Sequence, residues 1–119
     1  MSSFVVNLYI DQGASYIEQF VWKTGTQVSS TPIDLTGCTA RMQIRESIDS
    51  PDVLLELSTL NGGITLGTTD GLVTISIPFE DTAAMTFHKG RYDLELTKPD
   101  GTVRRLMKGS VHVSFEVTR

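Results

Sequence analysis

Apolar and polar residues alternate along much of this chain, which is the pattern of a β-strand with one buried face. The segment 38–45 shows it most clearly, because its even-numbered positions are apolar and its odd-numbered positions are Thr, Arg, Gln and Arg. A pairing register shifted by one residue would bury the three long polar side chains of this segment. The alternation therefore predicts both a strand and its inward face.

Similar runs fill most of the remaining sequence, at 4–11, 15–23, 53–58, 64–66, 73–79, 92–96, 102–108 and 111–117. Turn motifs such as Asn61-Gly62-Gly63 and Asp70-Gly71 separate several of them, and residues 24–36 form a loop rich in Thr, Ser, Gly and Pro. Turns at such intervals favour an antiparallel β-sandwich, with a small open barrel as the other option. We expect one shared interior to contain Met42, Ile44, Ile75, Ile77, Leu94, Leu96, Val113 and Phe115.

One short helix is predicted over residues 80–87, where acidic residues come first and Lys89-Gly90 follows. The next strand opens Gly-x-Tyr-x-Leu-x-Leu at Gly90. This order is typical of the corner at which an immunoglobulin-like sandwich crosses between its sheets. We predict an all-β, immunoglobulin-like antiparallel β-sandwich with one short crossover helix, and a buried Tyr92 whose hydroxyl bonds the backbone near residues 82–88.

Length and composition predict a single domain spanning residues 1–119. The net charge of −4 argues against a nucleic-acid partner, which rewards clustered Lys and Arg. The N-terminus lacks the features of a signal peptide, and no apolar run is long enough for a membrane helix, so we expect synthesis in a cytoplasm and no membrane partner. A lone cysteine, Cys38, is interpreted as a small buried hydrophobe.

Residue chemistry predicts no catalytic, cofactor-binding or metal site. Asp93 and Glu95 lie about 7 Å apart on an outward strand face, a spacing a glycosidase could use, although a solvated strand face explains them better. His112 also points outward, and nothing around it resembles a strained nucleophile turn. We therefore expect a protein that is not an enzyme and needs no cofactor.

The N-terminal segment 4–23, which the pattern predicts to be a hairpin, is rich in aromatic residues, and four of them are candidates for partner binding: Tyr9, Tyr16, Phe20 and Trp22. In the strand 15–23, Tyr16, Phe20 and Trp22 share one face, while Ile17 and Val21 lie on the other. Apolar groups on both faces indicate that one face covers the core and the other meets a partner. The four aromatics are thus predicted to bind a partner; burial in the core and a sugar-binding platform are the alternatives.

Several short segments resemble small tail-associated proteins of tailed bacteriophages, and are similar to the N-terminal domain of upper baseplate proteins. The segments are Asp34-Leu35-Thr36-Gly37, 40–45, 55–59, 63–66, 71–75, 90–96 and 106–119. The resemblance implies a non-enzymatic virion protein of the tail, baseplate or neck. Its partners would be other virion proteins or fibres, contacted in multiple symmetric copies.

The chain ends at Arg119, directly after the last predicted strand. The resemblance therefore implies an adaptor, collar or decoration subunit and not a complete fibre. A carbohydrate-binding module that contacts the host cell surface is the alternative function.

Overall fold

The computed structural model describes residues 4–24 and 31–118, which fold into two packed β-sheets with a short two-stranded ribbon and one helix. The elements are β1 (Phe4–Val5), β2 (Leu8–Asp11), β3 (Tyr16–Val21), β4 (Lys23–Thr24), β5 (Thr31–Pro32), β6 (Thr39–Arg45), β7 (Leu55–Ser58), β8 (Ile64–Leu66), β9 (Leu72–Ile77), α1 (Phe79–Ala83), β10 (Lys89–Thr97) and β11 (Val103–Ser114). The predicted β-sandwich with one short helix is confirmed. The central part of the predicted loop 24–36, residues 25–30, lies outside the described residues.

The larger sheet has six strands in the order β1-β11-β10-β6-β7, with β2 also on β11. Most of its pairings are antiparallel, but β1 and β2 both run parallel to β11. The smaller sheet has the order β3-β9-β8 and is antiparallel throughout. Because β2 and β3 belong to different sheets, the segment 4–23 crosses the sandwich, and the predicted N-terminal hairpin is wrong.

The core lies between the inward faces of the two sheets. Seven of the eight residues expected there are buried: Met42, Ile44, Ile75, Ile77, Leu94, Leu96 and Val113. Phe115 is the exception, because β11 ends at Ser114 and its ring lies 40% exposed against the imidazole of His88, with ring centroids 3.9 Å apart. The alternation of apolar and polar residues in the sequence continues beyond Ser114, the last residue of β11, and for this reason Phe115 was predicted to face inward.

A single long strand, β11, replaces the two strands predicted around Gly109. The register against β10 shifts by one residue between Leu94 and Glu95, so that Leu106 and Met107 are both buried. Position 109 within this strand requires glycine, because a Cβ there would collide with the backbone carbonyl of Val6. The glycine therefore allows residues 4–11, which we call the N-terminal edge segment, to approach β11 closely.

The helix is shorter than predicted, since α1 covers only Phe79–Ala83 and Gly90 belongs to β10. The buried hydroxyl of Thr82 donates to the carbonyl of Ala14 at 2.8 Å and so fixes the helix to the β2–β3 turn. Tyr92 is buried as predicted, but its hydroxyl donates to the carbonyl of Val6 at 2.6 Å and not to residues 82–88. The corner tyrosine therefore fastens the N-terminal edge segment, which the sequence pattern could not reveal.

Candidate partner-binding face

The outward face of the three-stranded sheet carries no charged residue. Strand alternation places Tyr16, Phe20 and the β9 residues Val73, Ile75 and Ile77 inward. The opposite positions form what we call the uncharged face: Ile17, Gln19, Val21, Thr65, Leu72, Thr74 and Ser76. Interface cores are depleted in charge in the same way, which makes this face a candidate for contact with another protein.

Two aliphatic side chains stand out from this face. Ile17 is 65% exposed and Val21 is 50% exposed, and both come from β3. Ile17 lies opposite Ser76 and Val21 lies opposite Leu72 in the register with β9. The exposed aliphatic groups thus follow one strand, with the small hydroxyl side chain of Ser76 beside Ile17 and the aliphatic side chain of Leu72 beside Val21.

β3 is also an edge strand, because among the described residues it pairs only with β9. Soluble proteins commonly protect such edges with Lys, Pro or a bulge. Residues 16–21 contain no Lys, Pro or Gly, and their pairing with β9 runs in unbroken register, although Glu18 adds one exposed charge on the inward-facing side of the strand. The backbone of this edge therefore keeps the geometry needed to accept a further strand.

The four aromatics predicted to bind a partner do not form one surface. Tyr16 and Trp22 are buried, at 8% and 4% exposure, and Phe20 is partly buried against the core. Burial raises the pKa of Tyr16 well above its ordinary value, and the charge of Glu18 adds to this effect. Trp22 packs edge-on against Phe4, with ring centroids 5.0 Å apart.

Tyr9 is the one exposed member of that set, at 68%, and it lies on the other sheet. The partner-binding role of the set stays a prediction, because burial and exposure do not measure binding. The accessible apolar groups of strand 15–23 are Ile17 and Val21, on the face opposite its aromatics. The second apolar face of that strand, which the sequence pattern already indicated, is the face that the structure leaves exposed.

A family comparison fits this two-sheet geometry. A model of the LtfC-like, β-sandwich domain family matches residues 4–114, which is nearly the whole chain. The chain belongs to the LtfC-like β-sandwich family. The family is of the phage tail fibre-associated type, so the chain is a phage tail-related structural protein and, by its family, a virion component. A search of curated proteins found no match.

On the other sheet of this LtfC-like domain, a polar cluster that sequence reasoning missed joins the edge segment to β11. The hydroxyl of Ser110 lies 3.0 Å from Oδ1 of Asn7 and 2.9 Å from Nε2 of His112. Tyr9 stacks on the His112 ring, with centroids 5.0 Å apart and planes 12° apart. Ser110 is buried within an extended strand, and Asn7 also accepts its backbone N–H. The geometry supports a structural role, in which these hydrogen bonds hold Asn7 against β11. A catalytic serine needs an accessible hydroxyl, and that of Ser110 is buried.

The candidate carboxylates and the cysteine of this LtfC-like domain also have structural explanations. Asp93 pairs with Nε of Arg105 at 3.4 Å. Cys38 is only partly buried, and not buried as predicted; this partial burial raises the pKa of its thiol and so favours the thiol over the reactive thiolate. Within residues 4–24 and 31–118 no three His, Cys, Asp or Glu side chains cluster as metal ligands do. The five-residue α1 is too short to cross a bilayer, and no other helix occurs in the described ranges.

Proposed function

We propose that this chain is a non-enzymatic adaptor subunit of the phage tail, which docks on neighbouring virion proteins through the uncharged face. The observation that carries the proposal is the pair of exposed aliphatic residues, Ile17 and Val21, on a sheet face without charge. Covering such residues removes apolar surface from water, and no charged group has to be desolvated with them. The family assignment supports the setting of a phage tail.

The edge of β3 adds a second means of attachment. An extended segment of a neighbouring protein can hydrogen-bond to the free backbone groups of an edge strand. Side chains on alternate positions of that segment would then meet Ile17 and Val21, which lie on one side of the sheet. Backbone pairing would supply affinity, and the two aliphatic residues would help to fix the register.

The size of the face favours attachment in several copies. Six residues of β3 extend roughly 20 Å, and three strands span roughly 10–14 Å. The resulting area of roughly 200–300 Å² is well below the roughly 800 Å² per partner of a stable standard interface. A single copy would therefore bind weakly through this face alone, whereas a symmetric set of copies would gain avidity.

The test replaces Ile17 with lysine and measures incorporation of the protein into virions. Complementation of a phage that lacks the gene, followed by quantification of the protein in purified particles, gives the readout. We expect Ile17→Lys to fold normally, since the side chain is 65% exposed, and to be lost from particles because the lysine must be desolvated on docking.

The matched control is Leu60→Lys, which changes an aliphatic residue that is 95% exposed in the β7–β8 turn. It should fold and incorporate as the wild-type protein does. Normal incorporation of Ile17→Lys, or equal loss of both variants, contradicts docking through the uncharged face. Glycan binding that disappears in Tyr9→Ala would instead favour the carbohydrate-binding alternative, because Tyr9 is the exposed aromatic of the predicted set.

A further inference from the structure

The outward face of the six-stranded sheet has the opposite character to the uncharged face. Its positively charged residues are Arg41, Arg45, Lys89, Arg91, Arg105 and Lys108. Its negatively charged residues are Asp11, Glu56, Asp93 and Glu95. This face therefore holds six of the chain's ten Lys and Arg residues and four of its fourteen Asp and Glu residues. Its formal charge is +2, and the formal charge of all other residues together is −6. The chain is acidic as a whole, yet one sheet face is basic.

Four of these cations line a groove of about 360 Å³: Arg45, Arg91, Arg105 and Lys108. The side chains of Gln43 and Ile48 contribute a polar and an apolar part of its wall. Asp93 and Glu95 also line it, and Asp93 pairs with Arg105 at 3.4 Å. This is the one ion pair within 4 Å in the part of the chain that the structure describes, so Arg45, Arg91 and Lys108 have no carboxylate partner there.

Arg45 and Arg91 lie directly opposite each other in the register between β6 and β10. Like charges at directly opposed positions destabilise a sheet. The guanidinium of Arg45 is held by neutral acceptors, donating to the carbonyl of Ser50 and to Oε1 of Gln43, both at 2.9 Å. Its position is therefore fixed while its charge stays unneutralised. A pair of like charges that destabilises its own sheet is typical of a functional site, where local stability is lost in exchange for binding or chemistry.

We propose that this groove binds an acidic segment of a neighbouring protein, with a carboxylate seated between Arg45 and Arg91. Guanidinium groups bind carboxylates through paired, charge-assisted hydrogen bonds, and a carboxylate here would relieve the repulsion between the two arginines. Asp93 and Glu95 line the same groove and repel any further negative charge, so the site takes one carboxylate of a peptide and not the continuous row of phosphates of a nucleic acid. The apolar side chain of Ile48, 79% exposed, offers contact for the aliphatic part of an acidic side chain.

This proposal is independent of docking through the uncharged face, which lies on the other sheet. The probe is an acetylated, amidated hexaglutamate peptide, titrated at low salt into the full-length ¹⁵N-labelled protein. We expect saturable shifts of the backbone amides of residues 43–48, 91–95 and 105–108. Arg91→Gln should weaken the binding about tenfold, which corresponds to one lost hydrogen bond to a charged group.

Arg104→Gln is the matched control, because Arg104 is an exposed arginine of β11 that does not line the groove. It should bind the peptide as tightly as the wild-type protein does, and thermal unfolding should show both variants folded. The proposal is overturned if hexaglutamate causes no shifts at millimolar concentration, or if hexaglutamine causes the same shifts. Equal weakening in both variants, or tighter binding of an oligothymidylate than of hexaglutamate, overturns it as well.

Discussion

Replacing Tyr92 with phenylalanine tests the contact that holds the N-terminal edge of the sandwich. The tyrosine is 4% exposed, and its hydroxyl donates to the carbonyl of Val6 at 2.6 Å, across 86 residues of sequence. Phenylalanine keeps the ring and therefore the packing, and it removes only the donor. The change thus isolates one hydrogen bond that joins β10 to the connection between β1 and β2.

The expected cost is about 1–2 kcal/mol of unfolding free energy, because the bond is lost and the Val6 carbonyl is left without this partner. For a domain of 119 residues this corresponds to a melting temperature lower by roughly 4–8 °C. The lost hydrogen bond should lower local stability most in β2, because its residues Leu8–Asp11 pair with β11 beside this contact. Their amide protons should exchange faster in the variant while those of β6 stay protected.

Urea denaturation followed by the fluorescence of Trp22, the sole tryptophan and a buried one, measures the free energy. Tyr9→Phe is the control, since that tyrosine is 68% exposed and its loss should change stability by less than about 0.5 kcal/mol. An unchanged midpoint for Tyr92→Phe would refute the reasoning. An equal loss in the Tyr9 variant would also refute it, because the effect would then not depend on the buried bond.

Two further predictions concern the core and the response to alkali. Leu94→Ala should cost about 2–5 kcal/mol in urea denaturation, because Leu94 is fully buried, while Leu60→Ala, at a position 95% exposed, should be nearly neutral; similar costs for the two would contradict the core assignment. Burial raises the pKa of both Tyr16 and Tyr92, so their contribution to stability is complete below the unfolded pKa of about 10 and falls as the pH rises above it. Unfolding free energy should therefore decrease by roughly 1.4 kcal/mol in total between pH 9 and 11 for each buried tyrosine, and Tyr92→Phe should reduce this decrease; an equal decrease in the variant would contradict the burial argument.

Much of this fold was predictable because side-chain alternation is local. The period of two determined that Met42 and Ile44 face inward while Arg41 and Arg45 face outward, and the structure agrees. It also revealed that residues 16–22 carry apolar groups on both faces, which is the signal behind the uncharged face. These features need only the geometry of one strand, so the sequence alone carries them.

Strand partners, in contrast, were decided only by the tertiary structure. The alternation states which side of a strand is apolar, but not which sheet the strand joins, and so the segment 4–23 was interpreted as a hairpin although β2 and β3 lie in different sheets. The acceptor for Tyr92 is likewise distant in sequence, and Phe115 follows the inward pattern beyond the last paired residue of β11.

The two candidate surfaces show the same division. The sequence determined that strand 15–23 has a second apolar face, and that Arg45 points outward from its strand. Only the pairing of β3 with β9 surrounded Ile17 and Val21 with uncharged neighbours, and only the pairing of β6 with β10 set Arg45 opposite Arg91. The physical reason is that a strand's faces follow from its own backbone, whereas its neighbours follow from long-range pairing of the whole chain, which is selected by the combined burial of all strands.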